Sequence, residues 1–433
     1  MADQATARPA GGYRWLVFLL LAVGYLLVYF HRTSPAVVAL DMMKDLSAGE
    51  ALMGFLGSAY FYPYAAMQLP AGLLSDSWGP RRSITVFFLL AGGSSILFGL
   101  ADSAGMAIFA RVLVGLGVSM LFVPTMKTMT RWFKVSEFAT MAGILLAVGG
   151  LGVLIAAAPL AYLSAALGWR GSFLAIGGLT IVLAGAIWVF VRNTPEELGF
   201  APPESPLPRA AGGAPAPSLL RGMASVMQAA RFWPLAAWFF FTCGIFFSFV
   251  GLWGGPYLIQ VYGLSKGQAG GVLSMAAVAM ILGSPFLSWL SDRWRSRKKV
   301  LILASAAMLV LVLPLCFWPQ SLSQPLLYIW CFLLSLFSSS IVSVGFTSSK
   351  ELFPVAMAGT AVGMVNLFPF LGGAVMQPLL GWILKLGKSP DGGLSPEAYA
   401  QAFLVYLAAA AVAFIASLLL TETAPQARPA AKA

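Results

Sequence analysis

The sequence predicts an all-α membrane protein of twelve transmembrane helices in two pseudo-symmetric six-helix halves. Three observations carry that prediction. Hydrophobic residues are 59% of the 433 positions and charged residues only 9%, far from the average for a soluble domain. The apolar residues collect into runs long enough to cross a bilayer core, which takes about 20 residues of helix. A charged motif also repeats: residues 72–82 read GLLSDSWGPRR and residues 288–298 read SWLSDRWRSRK, so Asp76 and Asp292 stand 216 positions apart. The same shift carries Arg81 and Arg82 onto Arg297 and Lys298, and Met141-Ala142-Gly143 onto Met357-Ala358-Gly359. A constant offset of about half the chain marks a duplicated unit. Two such units rocking about a central site are a transporter plan.

The runs in order are 15–38, 51–74, 82–101, 104–129, 138–165, 169–191, 232–258, 266–291, 298–317, 325–349, 356–386 and 399–420. Residues 1–12 are polar without a cleavable signal pattern, so the first run is expected to be retained. That run ends near Pro35, which weakens the helical ladder and permits a kink. The second and eighth runs each lead into a copy of the repeated motif. Several runs exceed the minimum, which predicts tilt, kinks or projecting ends. Ala, Leu, Gly and Met dominate, and the runs are far longer than a barrel strand of about 10 residues. Residues 192–231 break the pattern with a Pro-, Ala- and Gly-rich stretch expected to be extended. Within it, LLRGMASVMQAARFW (219–233) has helical spacing and two arginines, Arg221 and Arg231, as an interfacial helix would. The predicted organisation is a first half 1–191, a cytoplasmic linker 192–231, and a second half with a polar tail, 232–433.

The net charge of +11 could suggest nucleic acid, but its placement argues for topology. With both termini inside, the cytoplasmic segments hold eighteen basic residues: Arg8, Arg14, Arg81, Arg82, Arg131, Lys134, Arg192, Arg209, Arg221, Arg231, Arg293, Arg295, Arg297, Lys298, Lys299, Lys350, Arg428 and Lys432. The outer segments hold Lys44, Arg170, Lys266, Lys385 and Lys388. This is the positive-inside bias, and it predicts a multi-pass protein of a bacterial-type inner membrane with cytoplasmic termini. Cys243, Cys316 and Cys331 lie in apolar runs without metal-ligand spacing and read as small hydrophobes.

On these residues the chain resembles the major facilitator superfamily over nearly its whole length. The family's loop between helices 2 and 3, G-x-x-x-D-R-x-G-x-R/K-R/K, is met by Gly72, Asp76, Gly79, Arg81 and Arg82, with Ser77 where Arg is usual. The second copy keeps Asp292, Arg293, Arg297 and Lys298 but lacks both glycines. Arg111-x-x-x-Gly115-x-Gly117 is similar to the family's second motif. The antiporter motif of helix 5 is absent, with Ala158-Pro159 in its place. The resemblance implies the major facilitator fold and a gating role for the two loop clusters, which latch the outward-facing form. Asp76 is expected to pair with basic groups of its own loop and cap a neighbouring helix N-terminus. A plain turn of solvated charges is the bland alternative for both clusters.

Inside the runs the ionisable inventory is short: His31, Arg32, Arg111 and Lys127, with the acidic residues at run ends or in loops. An Arg near a helix centre costs at least about 2.5–3.5 kcal/mol, so it is expected to face a polar cavity. A positive cavity without carboxylates attracts anions. Tyr25, Tyr29 and Arg32 share one helical face, and His31 points about a quarter-turn away. The stretch YFHRTSPAVVAL resembles the Y-x-D-R-x-x-x-x-x-A signature of the organic anion:cation symporters, with His31 in place of the Asp. That resemblance implies that Arg32 receives a carboxylate. Those relatives often carry a helix-4 Glu as proton carrier, and the nearest position here is Ser119. Arg32 therefore reads as a carboxylate or phosphate clamp, against a structural Arg bonded to backbone carbonyls. His31, the chain's one histidine, is a candidate for both substrate contact and proton coupling. Arg111 is a second proton-coupling candidate, or an architectural residue. Lys127 either receives the anion or snorkels to the interface. Tyr29, Tyr60, Tyr64 and Asn366 are candidate lining residues. Ser340, Ser343 and Thr347, and Asn366, Phe370, Gly373 and Gln377, form polar stripes on two later runs. Each could equally be interhelical glue. The 216-residue shift sets Phe247 opposite His31 and Ser248 opposite Arg32, so the second half supplies no matching charge.

The expected function is secondary transport of a small organic anion by alternating access, with a proton as the partner that neutralises its charge. Carrying a monoanion alone into a negative-inside cell costs about 2.3 kcal/mol per 100 mV. Anion exchange meets the same need. A facilitator or exporter of dipeptides, siderophores or drugs is the rival, since some lysosomal dipeptide carriers of the superfamily are distantly similar. An intramembrane enzyme finds no HExxH, GxSxG or phosphate-cradling motif, so no catalytic residue, metal or cofactor is expected. The protein is expected to work as a monomer in the lipid bilayer, without nucleic acid.

Overall fold

The computed structural model describes residues 11–203, 219–340, 344–388 and 394–424. Arg8, Arg209, Ser343, Arg428 and Lys432, and the side chain of Arg221, lie outside the described residues. The regular elements among the described residues are helices, and the chain divides into two compact units, Met1–Ala214 and Pro215–Ala433. Ten helices are long and apolar enough to cross a membrane. The remaining two of the twelve expected runs are present as shorter pieces. The second is broken into Glu50–Ser58, Phe61–Ala66 and Pro70–Trp78, and the tenth comprises Gln324–Ser338 and Phe346–Glu351.

Proline places most of the breaks. A proline has no N–H to give the carbonyl four residues back, so the ladder fails between the two. Tyr13–Thr33 stops at Ser34 before Pro35–Asp45. The second run breaks at Ala59-Tyr60, between Ala59 and Pro63, and again at residues 67–69, before Pro70. Ala104–Ser119 gives way to Phe122–Trp132 ahead of Pro124, and Val135–Ile155 to Ala158–Phe190 ahead of Pro159. Val355–Val365 passes to Leu367–Leu386 at Asn366, ahead of Pro369. The end of the fifth run and the sixth run form one element, Ala158–Phe190, whose backbone turns at Gly168 with φ 70°. The seventh run passes through a π-turn at Phe249–Trp253, between Phe232–Ser248 and Gly254–Gln260 and ahead of Pro256.

The two units repeat one packing scheme. In the first, Pro80–Gly99 lies along Ala158–Phe190, and Tyr13–Thr33 along Val135–Ile155. In the second, Arg297–Phe317 lies along Pro396–Leu418, and Phe232–Ser248 along Leu367–Leu386. The pairings correspond by span order, third with sixth and first with fifth in the one unit, ninth with twelfth and seventh with eleventh in the other, so the duplication read in the motif extends to the helix contacts. At the end of the first unit away from Asp76, Asp45 accepts from Arg170 at 2.6 Å and from the Trp169 indole at 2.9 Å, while Arg170 also donates to the Ala101 carbonyl at 2.9 Å. The Trp169 N–H and the guanidinium hold the Asp45 carboxyl below its usual range. This clasp ties the first, third and sixth spans together.

Candidate functional site

Helical spacing delivers the centre of the first unit. Tyr25, Tyr29 and Arg32 follow one face of Tyr13–Thr33, and the Tyr25 and Tyr29 rings meet edge to face with centroids 5.3 Å apart. The broken second span supplies Tyr60 and Tyr64, whose rings stack at 5.5 Å. The Arg32 guanidinium lies 4.5 Å from the Tyr29 ring, 4.9 Å from Tyr64 and 6.0 Å from Tyr60. The hydroxyls of Tyr60 and Tyr64 are within hydrogen-bonding reach of Arg32. Arg32 is 4% exposed, so the cation is buried on aromatic faces that attract it through their quadrupoles. Those faces stabilise positive charge without neutralising it.

A second buried guanidinium, that of Arg111, also lies near the Tyr60 ring. It is 5.2 Å from the Tyr60 ring centroid and 5.8 Å from that of Phe98. Its Nη1 donates to the His31 carbonyl at 2.7 Å. Its Nε and Nη2, and both ring nitrogens of His31, are buried without a hydrogen-bond partner among the described residues. The His31 ring packs edge-on against Phe30, with centroids 5.7 Å apart.

Gly149 completes the tyrosine group and is not a residue that sequence reasoning singled out. A Cβ there would stand 2.9 Å from ring carbons of both Tyr25 and Tyr29. The fifth span therefore presents bare backbone to the rings, and the rings lean on it. The signal lies in the sequence only as a glycine among many.

Lys127 is placed elsewhere. Its ammonium donates to Asp76 at 2.6 Å and to the Ser75 carbonyl at 2.9 Å, so it closes the fourth span onto the second. Asp76 thus takes a cation from another span, not from its own loop. The loop geometry explains why. The helix Pro70–Trp78 runs through Asp76, and Gly79, with φ 82° and ψ 151°, swings the chain away before the arginines. Arg81 then donates to the Trp188 carbonyl at 2.6 and 2.8 Å and lies 4.2 Å from the Trp188 ring. Its backbone N–H reaches Asn193 at 3.0 Å. Arg82 is exposed, and over Gly72 there is open space. The Asp76 side chain is 72% exposed, so its pair with Lys127 is screened by solvent and contributes at most about 1 kcal/mol.

In the second unit Arg297 donates to Asp292 at 2.6 Å and reaches Glu351 at 3.4 Å. Glu422, beyond the last span, accepts from the Ser296 hydroxyl and from the Arg297 N–H at 2.9 Å, and Thr423 donates to Glu351 at 2.9 Å. Arg293 is exposed. Glu351 and Glu422 were not legible as members of this cluster, because their partners lie far along the chain. Asn366 sits at the break in the eleventh span and is half-buried. Gln377 donates through Nε2 to the Phe247 carbonyl at 2.8 Å, and the Phe247 and Phe370 rings stack at 6.1 Å. Ser340 bonds back to its own helix, to the Phe337 carbonyl at 2.6 Å.

Comparison with known proteins agrees with this architecture. The family model of the Major Facilitator Superfamily matches residues 21–296 and 254–433. A protein described as a probable sulfoacetate transporter of Cupriavidus necator is 24% identical over 400 residues, 87% of this chain and 89% of that protein. The D-galactonate transporter of Escherichia coli O6:H1 is 24% identical over 443 residues, 95% of this chain and 96% of that protein. Among solved structures, a bacterial homolog of the human lysosomal transporter Spinster, inward-facing and unoccupied, superposes with a TM-score of 0.75 at 18% identity, covering 95% of this chain and 98% of that one.

Proposed function

The chain belongs to the Major Facilitator Superfamily, and from that premise we propose that it is a secondary active transporter of a small organic anion, a monocarboxylate or comparable acid. It works by alternating access in a bacterial-type inner membrane, with both termini cytoplasmic. The observation that carries the reading is Arg32: a buried guanidinium set on the rings of Tyr29 and Tyr64, with Tyr60 beside them. A planar guanidinium fork matches a carboxylate in two parallel hydrogen bonds, and phenol hydroxyls suit the acid's remaining oxygens. The relatives' named cargoes, sulfoacetate and D-galactonate, are organic acids and support the same class. The coupled proton is handled at His31, the one imidazole of the chain, adjacent to Arg32 and beside Arg111. Lys127 with Asp76, and Arg297 with Asp292, act as latches at the gating loops.

The test is a thermal-shift screen of the purified protein against mono- and dicarboxylates, sulfoacetate and D-galactonate included. An acid present at one hundred times its Kd stabilises the fold by about 2.7 kcal/mol. Arg32→Ala is expected to abolish that shift while leaving the unliganded melting temperature close to wild type. A shift of undiminished size in Arg32→Ala refutes the clamp. In proteoliposomes, uptake driven by an imposed proton gradient supports symport. Uptake that requires preloaded acid on the far side would instead make the protein an exchanger.

A further inference from the structure

At the end of the second unit that carries Asp292, a pocket holds two basic side chains and no acidic one among the described residues that line it. Arg231 stands at the start of Phe232–Ser248 and Lys298 in the first turn of Arg297–Phe317. Ser348, from Phe346–Glu351, faces the same pocket. Four leucines form the apolar wall, and Thr421 and Thr423, just past the last span, close one side. Ser348 is 5% exposed, and its hydroxyl is buried without a hydrogen-bond partner among the described residues. A buried hydroxyl left unbonded is costly, and a ligand oxygen in the pocket removes that cost.

The carboxylates at this end are taken by other groups. Arg297 holds Asp292 at 2.6 Å and reaches Glu351 at 3.4 Å. Glu422 accepts from the Ser296 hydroxyl and from the Arg297 N–H, and Thr423 spends its hydroxyl on Glu351. Neither Phe232–Ser248 nor Arg297–Phe317 has an acidic residue in its first turn. The positive ends of two helix dipoles therefore add to the two cations. The depth of the pocket is marked by Trp233, next to Arg231. Its ring is 47% exposed, and its indole donates to the Met227 carbonyl at 2.9 Å, where the helix Leu219–Gln228 ends. An exposed indole between an interfacial helix and the start of a span belongs at headgroup level. Phosphodiesters are the anions concentrated there, and a basic pocket between spans suits them.

We propose that Arg231, Lys298 and Ser348 form a binding site for the phosphodiester of an anionic phospholipid. The two cations face the phosphate charge, Ser348 donates to a phosphate oxygen, and the leucine wall lies against the glycerol and the first acyl carbons. The pocket joins the ends of the seventh, ninth, tenth and twelfth spans, so an occupied site ties four spans of the second unit at one end. In the orientation proposed above, that end lies in the inner leaflet. The site takes no part in holding the transported acid, and it stands or falls apart from Arg32.

Native mass spectrometry of the full-length protein, with phosphatidylglycerol and phosphatidylcholine of equal chain length as probes, tests the site. Wild type is expected to hold a first phosphatidylglycerol about tenfold more tightly than phosphatidylcholine. Arg231→Gln combined with Lys298→Gln is expected to weaken that binding about 25-fold, about fivefold for each basic group. Ser348→Ala is expected to weaken it about fivefold, the loss of one hydrogen bond to a charged group. Ser349→Ala, at a buried hydroxyl outside the pocket, leaves it unchanged. Lys299→Gln combined with Lys350→Gln removes the same charge from exposed positions at the same end and is expected to change binding about twofold at most. Equal losses in the two charge pairs overturn the site, because a basic surface then attracts the lipid without a pocket. Equal retention of the two lipids by wild type overturns it as well. Inorganic phosphate that displaces phosphatidylglycerol at millimolar concentration would assign the pocket to a soluble anion and overturn the lipid. Should the Arg231 and Lys298 double variant fail to fold, Lys298→Gln alone and Ser348→Ala carry the test, and unchanged binding in both overturns the site.

Discussion

Arg32 owes its position to spacing and its surroundings to packing. Spacing of four and three along one helix sets Tyr25, Tyr29 and Arg32 on a common face. Packing brings Tyr64 to within 4.9 Å of the guanidinium from the second span. The rings are held in turn by the absence of a side chain at Gly149, where a Cβ would meet both Tyr25 and Tyr29 at 2.9 Å. Gly149→Ala is therefore expected to push the rings toward Arg32. It should destabilise the fold by about 1–3 kcal/mol, the usual cost of overpacking, and weaken acid binding further than Arg82→Ala at an exposed loop position. Melting temperature and acid-induced shift, measured on the same samples, check this. A Gly149→Ala protein with wild-type melting and wild-type shift would show that the rings do not depend on that contact.

Among the elements, proline places most of the breaks in the spans. The last span closes differently. Beyond Leu418 the chain turns so that Glu422 accepts from Ser296 and from the N–H groups of Arg297, Thr423 and Ala424. Burial by itself would raise the Glu422 carboxyl, but these hydrogen bonds outweigh it and hold the carboxyl below its ordinary value. The sign follows from linkage. A carboxyl with a lowered folded-state value stabilises the protein above the ordinary glutamate value of about 4.3, and that stabilisation disappears as pH falls through the lowered value. Melting curves across acid pH are expected to show wild type losing stability toward the acid end. Glu422→Gln starts lower at neutral pH and shows a shallower acid limb. Parallel curves for the two proteins would mean that the closure carries no proton-linked stability.

For the whole molecule, the family and the helix plan follow from the chain, and transport adds an energetic requirement. A monoanion moving alone would sense the membrane potential at about 2.3 kcal/mol per 100 mV, and one accompanying proton cancels that charge. Uptake in proteoliposomes is expected to respond to a proton gradient and not to a potassium diffusion potential of either sign. Flux that rises with an inside-positive potential would rule out one-to-one symport. The sequence by itself determined the twelve spans, the duplication, the face that carries Tyr25, Tyr29 and Arg32, and the break at Pro35. Each of these depends on residues within a few turns of one another or on a repeat visible by eye. Only the tertiary structure decided that Asp76 pairs with Lys127, that Arg81 belongs to Trp188, and that Arg111 donates to the His31 carbonyl. Those partners are set by which helices lie side by side and at what depth. A long flexible side chain can reach any of several groups until packing removes all but one.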